Sequence, residues 1–171
     1  MKMIKNIFLV LAALLIIAFL LPNKIKLEHS LVIAAPADSV FNQVNNLQNW
    51  IVWNPWQNND TTIKINYYGP LAGIGATQKW TSSNGNGKIT IMESVPASMV
   101  IYELQMEGTS PKTAMFNFEA LNNNSTNLIF TMELVAGYNP IMRYMHVIMK
   151  WMMQKDFENS LANIKQISER K

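Results

Sequence analysis

The chain begins with an apolar segment. Hydrophobic residues run without interruption from Ile7 to Leu21 and stop at Pro22, and the apolar character extends over residues 3–21. A helix over the uninterrupted part would cover only ~22 Å of the ~30 Å hydrocarbon core of a bilayer. Lys5 would therefore have to extend its ammonium group to the interface. The pattern favours an uncleaved transmembrane helix.

We interpret residues 1–23 as an N-terminal single-pass membrane anchor. A cleaved signal peptide and a buried helix are the alternatives, although no small-x-small cleavage pattern precedes Pro22. Lys2 and Lys5 flank the segment on one side and Lys24 and Lys26 on the other, so the charge rule for orientation barely discriminates. The free amino terminus adds positive charge to the short side, which predicts an extracytoplasmic domain.

Residues 24–171 are predicted to form one domain that opens with a strand and two short helices. Lys24–Ile33 alternates partly and predicts the strand, and Pro36 suits the first turn of the helix that follows. A second short helix is predicted over residues 47–53, ended by the Asn54-Pro55 pair.

The middle of the chain is predicted to be entirely β. Six runs alternate between apolar and polar positions: Thr61–Tyr68, Ala76–Thr81, Gly87–Val95, Met99–Glu107, Thr113–Leu121 and Thr126–Ala136. Short links rich in Gly, Asn and Pro separate them, and such links predict turns between antiparallel neighbours. One face of the late strands is apolar and the other mixed, as expected of a sheet that covers a core.

The last segment predicts a long amphipathic helix from Asn139 to about Ser168. Ile141, Met145, Ile148 and Met152 recur at helical spacing, and Phe157, Leu161 and Ile164 continue the stripe after a phase shift. This stripe is predicted to face the sheet.

Composition narrows the function classes. Hydrophobic residues make up 49% of the chain and charged residues only 15%, which favours a folded domain over a disordered one. Of the 14 basic residues four flank the apolar segment, so ten remain against 11 acidic ones. A near-neutral domain argues against nucleic-acid binding. The absence of cysteine excludes disulfides and thiolate metal sites, and no metal or cofactor is predicted.

Three local motifs, in order, resemble the START-like (SRPBCC) superfamily and its polyketide cyclase/dehydrase-like branch. They are Leu31–Phe41, Trp50–Trp56 with its WxxWxPW spacing, and Tyr68–Trp80 with its GP, GxGA and Trp positions. The resemblance covers residues 27–168. It implies an α+β helix-grip fold, in which a curved seven-stranded antiparallel sheet surrounds a long C-terminal helix. It also implies a cavity between sheet and helix for a lipid, polyketide or other hydrophobic molecule.

The cavity is predicted where the apolar faces of the late strands meet the methionine-rich helix. Its predicted lining is Trp56, Tyr102, Leu104, Phe116, Phe118, Phe130, Met132, Met145, Met149 and Met152. A fully packed core would give the same two patterns, so the resemblance decides in favour of the cavity. Methionine side chains adapt to varied apolar ligands, which suits such a floor.

Candidates for catalysis are few. Glu93 shares the inward phase of its strand unless the strand twists there, Tyr102 is its candidate hydrogen-bond partner, and His146 lies on the long helix. No nucleophile elbow or metal-ligand spacing is present. The sequence therefore favours a membrane-anchored binding protein for a hydrophobic small molecule. A small cyclase or dehydratase acting in the same cavity is the alternative, and an envelope protein that binds another protein is a third possibility.

Overall fold

The computed structural model describes residues 2–170, which form five α-helices, one 3-10 turn and seven strands. The helices are α1 (Lys2–Leu20), α2 (Ala37–Asn45), α3 (Trp50–Trp53), α4 (Pro55–Asn59) and α5 (Pro140–Ser168), with the 3-10 turn at Leu47–Asn49. The strands are β1 (Lys24–Ile33), β2 (Lys64–Tyr68), β3 (Thr77–Thr81), β4 (Gly87–Val95), β5 (Met99–Met106), β6 (Lys112–Asn122) and β7 (Ser125–Val135).

The seven strands form one antiparallel sheet in the order β1-β7-β6-β5-β4-β3-β2. Consecutive strands from β2 to β7 are neighbours, as the short links predict, and β1 closes the other edge by pairing with the last strand. The predicted sheet and the long C-terminal helix are confirmed. Apart from the start of β2, every strand end agrees with the prediction to within one residue. Strand β2 begins at Lys64 because Asp60 Oδ1 accepts bonds from the backbone and hydroxyl of Thr62 and holds a turn there.

Asparagine side chains start two of the helices. Asn54 Oδ1 accepts from the backbone N–H of Trp56, and Pro55 takes the first position of α4. The Asn54-Pro55 pair therefore ends α3, as predicted, and also begins a further helix that the sequence pattern did not reveal. Asn139 caps α5 in the same manner, with Pro140 at its first position.

The core lies between the sheet and the second half of α5. Phe130 stacks on Phe116 with ring centroids 4.1 Å apart and on Phe157 of α5 at 3.9 Å. Trp50 and Trp53 are buried and donate their indole N–H groups to backbone carbonyls of α2, so they fix α3 against the domain. Both indoles therefore serve to hold the short helix in place.

The first part of the predicted inner stripe of α5 lies on the wrong face. Ile141, Met145, Ile148 and Met152 are all exposed, whereas Met153 and Phe157 point into the core. The buried face also carries Arg143 and His146. These polar residues make the buried face less apolar in the sequence than the outward face. The prediction is therefore wrong for these four residues, whereas its continuation at Phe157, Leu161 and Ile164 is confirmed, since all three are buried.

The N-terminal helix α1 is long and apolar enough to cross a membrane. Within residues 2–170 it alone passes that test, with a mean hydropathy of 2.6, and it lies almost entirely exposed. Its C-terminal half contacts the beginning of α5, where Ala18 is buried and Arg143 donates to the carbonyls of Phe19 and Leu21 at 3.0 and 3.1 Å. An exposed apolar helix does not fit the alternative of a buried core helix.

Candidate functional site

The space between the late strands and α5 is nearly filled. An inner cavity there has a volume of about 20 Å³, and room of that size holds roughly one water molecule. Its lining comprises Trp50, Trp53, Asn54, Trp56, Ile89, Tyr102, Leu104, Phe130, Asp156, Phe157 and Ser160. A ligand therefore has no room in the predicted place without movement of the walls.

A larger cleft lies next to this cavity, between α4 and strands β3 to β5. Its volume is about 320 Å³, which falls at the lower end of the ~300–1,000 Å³ typical of small-molecule sites. The lining comprises Asn54, Trp56, Gln57, Asp60, Ile63, Trp80, Ser82, Asn84, Gly85, Ile89 and Met106.

Trp56 separates the two spaces. Together with Asn54 and Ile89, it borders both the cleft and the inner cavity. Its indole N–H donates to Asp156 Oδ2 at 2.7 Å, so α4 is tied to α5 at this boundary. The cleft and the inner cavity are thus neighbours that share this wall.

The apolar wall of the cleft depends on a glycine. Trp80 of β3 lies over Gly87 of β4, and a Cβ atom at Gly87 would overlap the Trp80 ring. Ile89 and Met106 complete this wall from the neighbouring strands. A bulkier residue at position 87 would push the indole out of its place.

Two buried glutamines lie near this wall. Gln57 Oε1 is buried without a hydrogen-bond partner among the described residues, and Gln57 lines the cleft. The side-chain oxygen and nitrogen of Gln78 are also buried without a hydrogen-bond partner among the described residues. Gln78 does not line the cleft, but it lies in register with Ile89, which does. Each unsatisfied group costs ~1–3 kcal/mol unless water or a ligand meets it.

The mouth of the cleft is polar and already hydrogen-bonded. Asp60 accepts bonds at Oδ1 from Thr62 and at Oδ2 from the Asn84 amide. The Thr62 bonds, from its hydroxyl and its backbone, are the largest causes that hold the pKa of Asp60 below its usual value. Asp60 is therefore a carboxylate at neutral pH, and it serves to order the mouth.

The predicted ligand residues fall into three groups. Trp56, Tyr102, Leu104 and Phe130 line the inner cavity, and the last three have the inward phase of their strands. The side chains of Phe116, Phe118 and Met132 are buried in the packed core and border neither space. Met149 is partly buried against the core, while Met145 and Met152 are exposed on the opposite side of α5 and cannot form a floor.

The predicted catalytic candidates do not converge. The ladder between β4 and β5 shifts register between Ile91 and Glu93, and this irregularity turns Glu93 to the exposed side, away from Tyr102. Tyr102 is buried, and burial raises the pKa of its phenol, so it stays protonated. His146 borders neither space; burial and the nearby Lys112 lower its pKa.

The cleft residues on the early strands were not predicted as a site. Alternation alone places Gln78 and Trp80 on one face of β3, and Ile89 and Met106 have inward phase, so a signal existed. The late strands are more strongly apolar, so their pattern dominates the sequence. Gln57, Asp60 and Asn84 come from a short helix and turns, which periodicity does not resolve.

Among the described residues, no group of three or more acidic or histidine side chains could hold a metal ion.

Comparisons with known proteins show the fold. No protein-family model matches the chain, and no curated protein matches its sequence. Among solved structures, norcoclaurine synthase from Thalictrum flavum superposes with a TM-score of 0.65 and 12% identity over 86% of this chain and 96% of that one. The Zhui aromatase/cyclase of a Streptomyces species gives 0.61 and 17% over 86% and 94%. A protein of Chromobacterium violaceum gives 0.56 and 15% over 88% and 99%.

These similarities define the class of architecture. The chain has the helix-grip fold, an α+β arrangement of a curved seven-stranded antiparallel sheet with a long C-terminal helix, as its motifs predict. Identities below 20% carry the fold alone, since one fold hosts many functions.

Proposed function

We propose that this protein is a membrane-tethered binding protein for a small hydrophobic molecule, and that the ligand enters the cleft beside α4. The observation that carries the proposal is the cleft itself. It combines apolar walls from Trp80, Ile89 and Met106 with a buried acceptor, Gln57 Oε1, that has no partner among the described residues. Apolar surface with a few fixed polar groups is the usual composition of a small-molecule site.

The cleft favours a compact ligand with one hydrogen-bond donor. A flat ring system would pack against the indole of Trp80. A hydroxyl or amine on it would satisfy Gln57 Oε1 after a rotation of the Gln57 side chain, because this oxygen is buried from solvent. A volume of about 320 Å³ suits a lipid-like or polyketide-like molecule of few rings better than a long acyl chain. A longer ligand would have to displace Trp56 and reach the inner cavity.

Binding is better supported than catalysis. The carboxylate of Asp60 is engaged by Thr62 and Asn84, and Asp156 accepts from Trp56. A cyclase or dehydratase would need a proton acceptor aimed into the cleft, and of the three sequence candidates only Tyr102 borders either space. Its protonated phenol suits a donor better than a base.

The tether is residues 1–23. Helix α1 has the length and hydropathy of a membrane span, and its side chains are exposed as they would be in lipid. We place residues 24–171 as the binding domain on the extracytoplasmic side, since the short N-terminal tail carries the free amino group with Lys2 and Lys5.

Native mass spectrometry of the full chain, released from mild detergent, tests the binding. The wild type is expected to retain a small-molecule adduct. Ile63→Trp places an indole in the cleft and is expected to lose the adduct, whereas Leu121→Trp changes an exposed apolar residue of β6 outside the cleft and should keep it. An adduct that survives Ile63→Trp, or no adduct in any variant together with no uptake of an apolar dye, would contradict the cleft as the site.

A further inference from the structure

The outward face of the first three turns of α5 is covered by large apolar side chains. Ile141, Met145, Ile148 and Met152 lie on one side of the helix and are 44–71% exposed, and Trp151 beside them is 79% exposed. We call these five residues the α5 stripe. Contiguous apolar surface of this kind marks a contact with a membrane or another protein.

The stripe ends abruptly along the helix. On the same outward side, the next turns carry Lys155, Glu158 and Asn159, which are exposed and polar. The stripe from Ile141 to Met152 is about 17 Å long at ~1.5 Å per residue. The change in character therefore runs along the axis of α5, which indicates that the two ends of the helix lie in different surroundings.

The apolar end is the end that touches α1. The Tyr144 hydroxyl donates to the carbonyl of Leu14 at 2.7 Å, and Arg143 donates to the carbonyls of Phe19 and Leu21. Leu14 lies six residues before the end of α1 at Leu20, which is about 9 Å along a helix. The beginning of α5 therefore runs beside the last turns of the apolar helix, and the two exposed apolar surfaces are continuous.

We propose that the α5 stripe is a second membrane contact, which lies in the surface layer of the same bilayer that holds α1. This inference rests on the membrane tether proposed above. Tyr138, which is 90% exposed, and Trp151 suit the interface, where aromatic rings with a polar group collect. Lys150 can extend its ammonium toward the headgroups. With α1 and α5 both in contact with lipid, the domain rests on the bilayer in one orientation and does not swing freely on the linker at Pro22.

A bilayer explains the stripe better than a second copy of the chain does. The polar half of the outward face would interrupt a helix pair, whereas a flat lipid surface needs apolar groups only where the protein meets it. The position of the stripe next to α1 follows directly from a bilayer and is unexplained by a dimer.

The chain contains no cysteine, so single cysteines can carry a spin label at chosen sites. Ile148→Cys and Met152→Cys sample the α5 stripe, Asn159→Cys samples the polar half of the same side, and Leu9→Cys samples α1. All four parent side chains are exposed. Each labelled full-length variant is reconstituted in phosphatidylcholine vesicles, and its collision rates with oxygen and with a water-soluble nickel chelate are measured.

Labels at 148, 152 and 9 are expected to collide more often with oxygen, which concentrates in lipid, than with the chelate. The label at 159 is expected to collide more often with the chelate, which stays in water. A label at 9 in lipid with those at 148 and 152 in water overturns the second contact and leaves the tether intact. A label at 9 in water overturns both. Shielding at 148 from both reagents, with spin–spin broadening that disappears on dilution with unlabelled chain, assigns the stripe to a second copy and also overturns the inference.

Discussion

The indole N–H of Trp56 donates to Asp156 Oδ2 at 2.7 Å and joins α4 to α5 across 100 residues of chain. Both residues border the inner cavity, and Trp56 also borders the cleft. The bond therefore closes the boundary between the two spaces. A ligand too large for the cleft would have to break it.

Trp56→Phe keeps an aromatic ring and removes the N–H. Because the bond is exposed, we expect the free energy of unfolding to fall by only about 0.5–1 kcal/mol. The amides of α4 should nevertheless exchange with deuterium faster, since the helix loses its tie to α5. Hydrogen-exchange mass spectrometry of the full chain measures this.

The control for that experiment is the partner residue. Asp156→Ala should raise exchange in α4 to the same extent, and the double variant should add nothing, because both changes remove one bond. Additive effects of the two substitutions would show that each side chain acts through other contacts.

A second prediction tests how completely the interior is packed. Ala114 is buried and lies in register with Tyr102 and Met132, so Ala114→Leu should cost ~1–3 kcal/mol of unfolding free energy. Ala120 on the same strand is exposed, and Ala120→Leu should change stability by less than about 0.5 kcal/mol. Denaturant titration of both variants in detergent measures the difference. Equal, small losses would mean that the space beneath the late strands is larger than the structure shows.

The sheet was predictable because its strands alternate over long runs. The inward phases of Tyr102, Leu104 and Phe130 were correct, since one buried face fixes every second residue. Alternation does not predict the orientation of Glu93, because the irregularity after Ile91 changes the phase of the strand. No residue type in the sequence marks that irregularity.

The site was less predictable than the fold for two physical reasons. The first half of α5 is apolar on its outward face and carries buried Arg143 and His146 on its inner face, so hydrophobicity alone selects the wrong side there. Packing volumes also leave no trace in periodicity, and the stacked rings of Phe116 and Phe130 fill the space that the pattern left open. Whether a core is hollow depends on these contacts, which only the structure shows.

A third prediction concerns acid. Burial and Lys112 lower the pKa of His146, whose Nδ1 has no partner among the described residues. The unfolded chain, with a histidine pKa of about 6.5, then binds more protons than the folded one as pH falls below that value. Stability is therefore complete above pH ~6.5 and declines as pH falls toward the lowered pKa.

Denaturant titrations of the full chain at a series of pH values test this. The wild type should lose stability as the pH falls from about 6.5 to about 5, and His146→Gln should show a smaller loss over the same interval. Glu28, Asp60 and Glu169, whose pKa values are lowered chiefly by hydrogen bonds, contribute a separate loss only at lower pH. Identical slopes for the two proteins above pH 5 would exclude His146 as the source.

The last prediction compares the two buried glutamines. Gln57→Leu removes one polar atom that lacks a partner among the described residues, and Gln78→Leu removes two. Each substitution should raise the free energy of unfolding of the ligand-free chain by ~1–3 kcal/mol, and Gln78→Leu should raise it more. Their effects on binding should differ, because only Gln57 lines the cleft. Gln57→Leu should lose the small-molecule adduct in native mass spectrometry, and Gln78→Leu should keep it. Loss of the adduct in both variants would point to a general change in the sheet, and retention in both would remove Gln57 Oε1 from the proposed site.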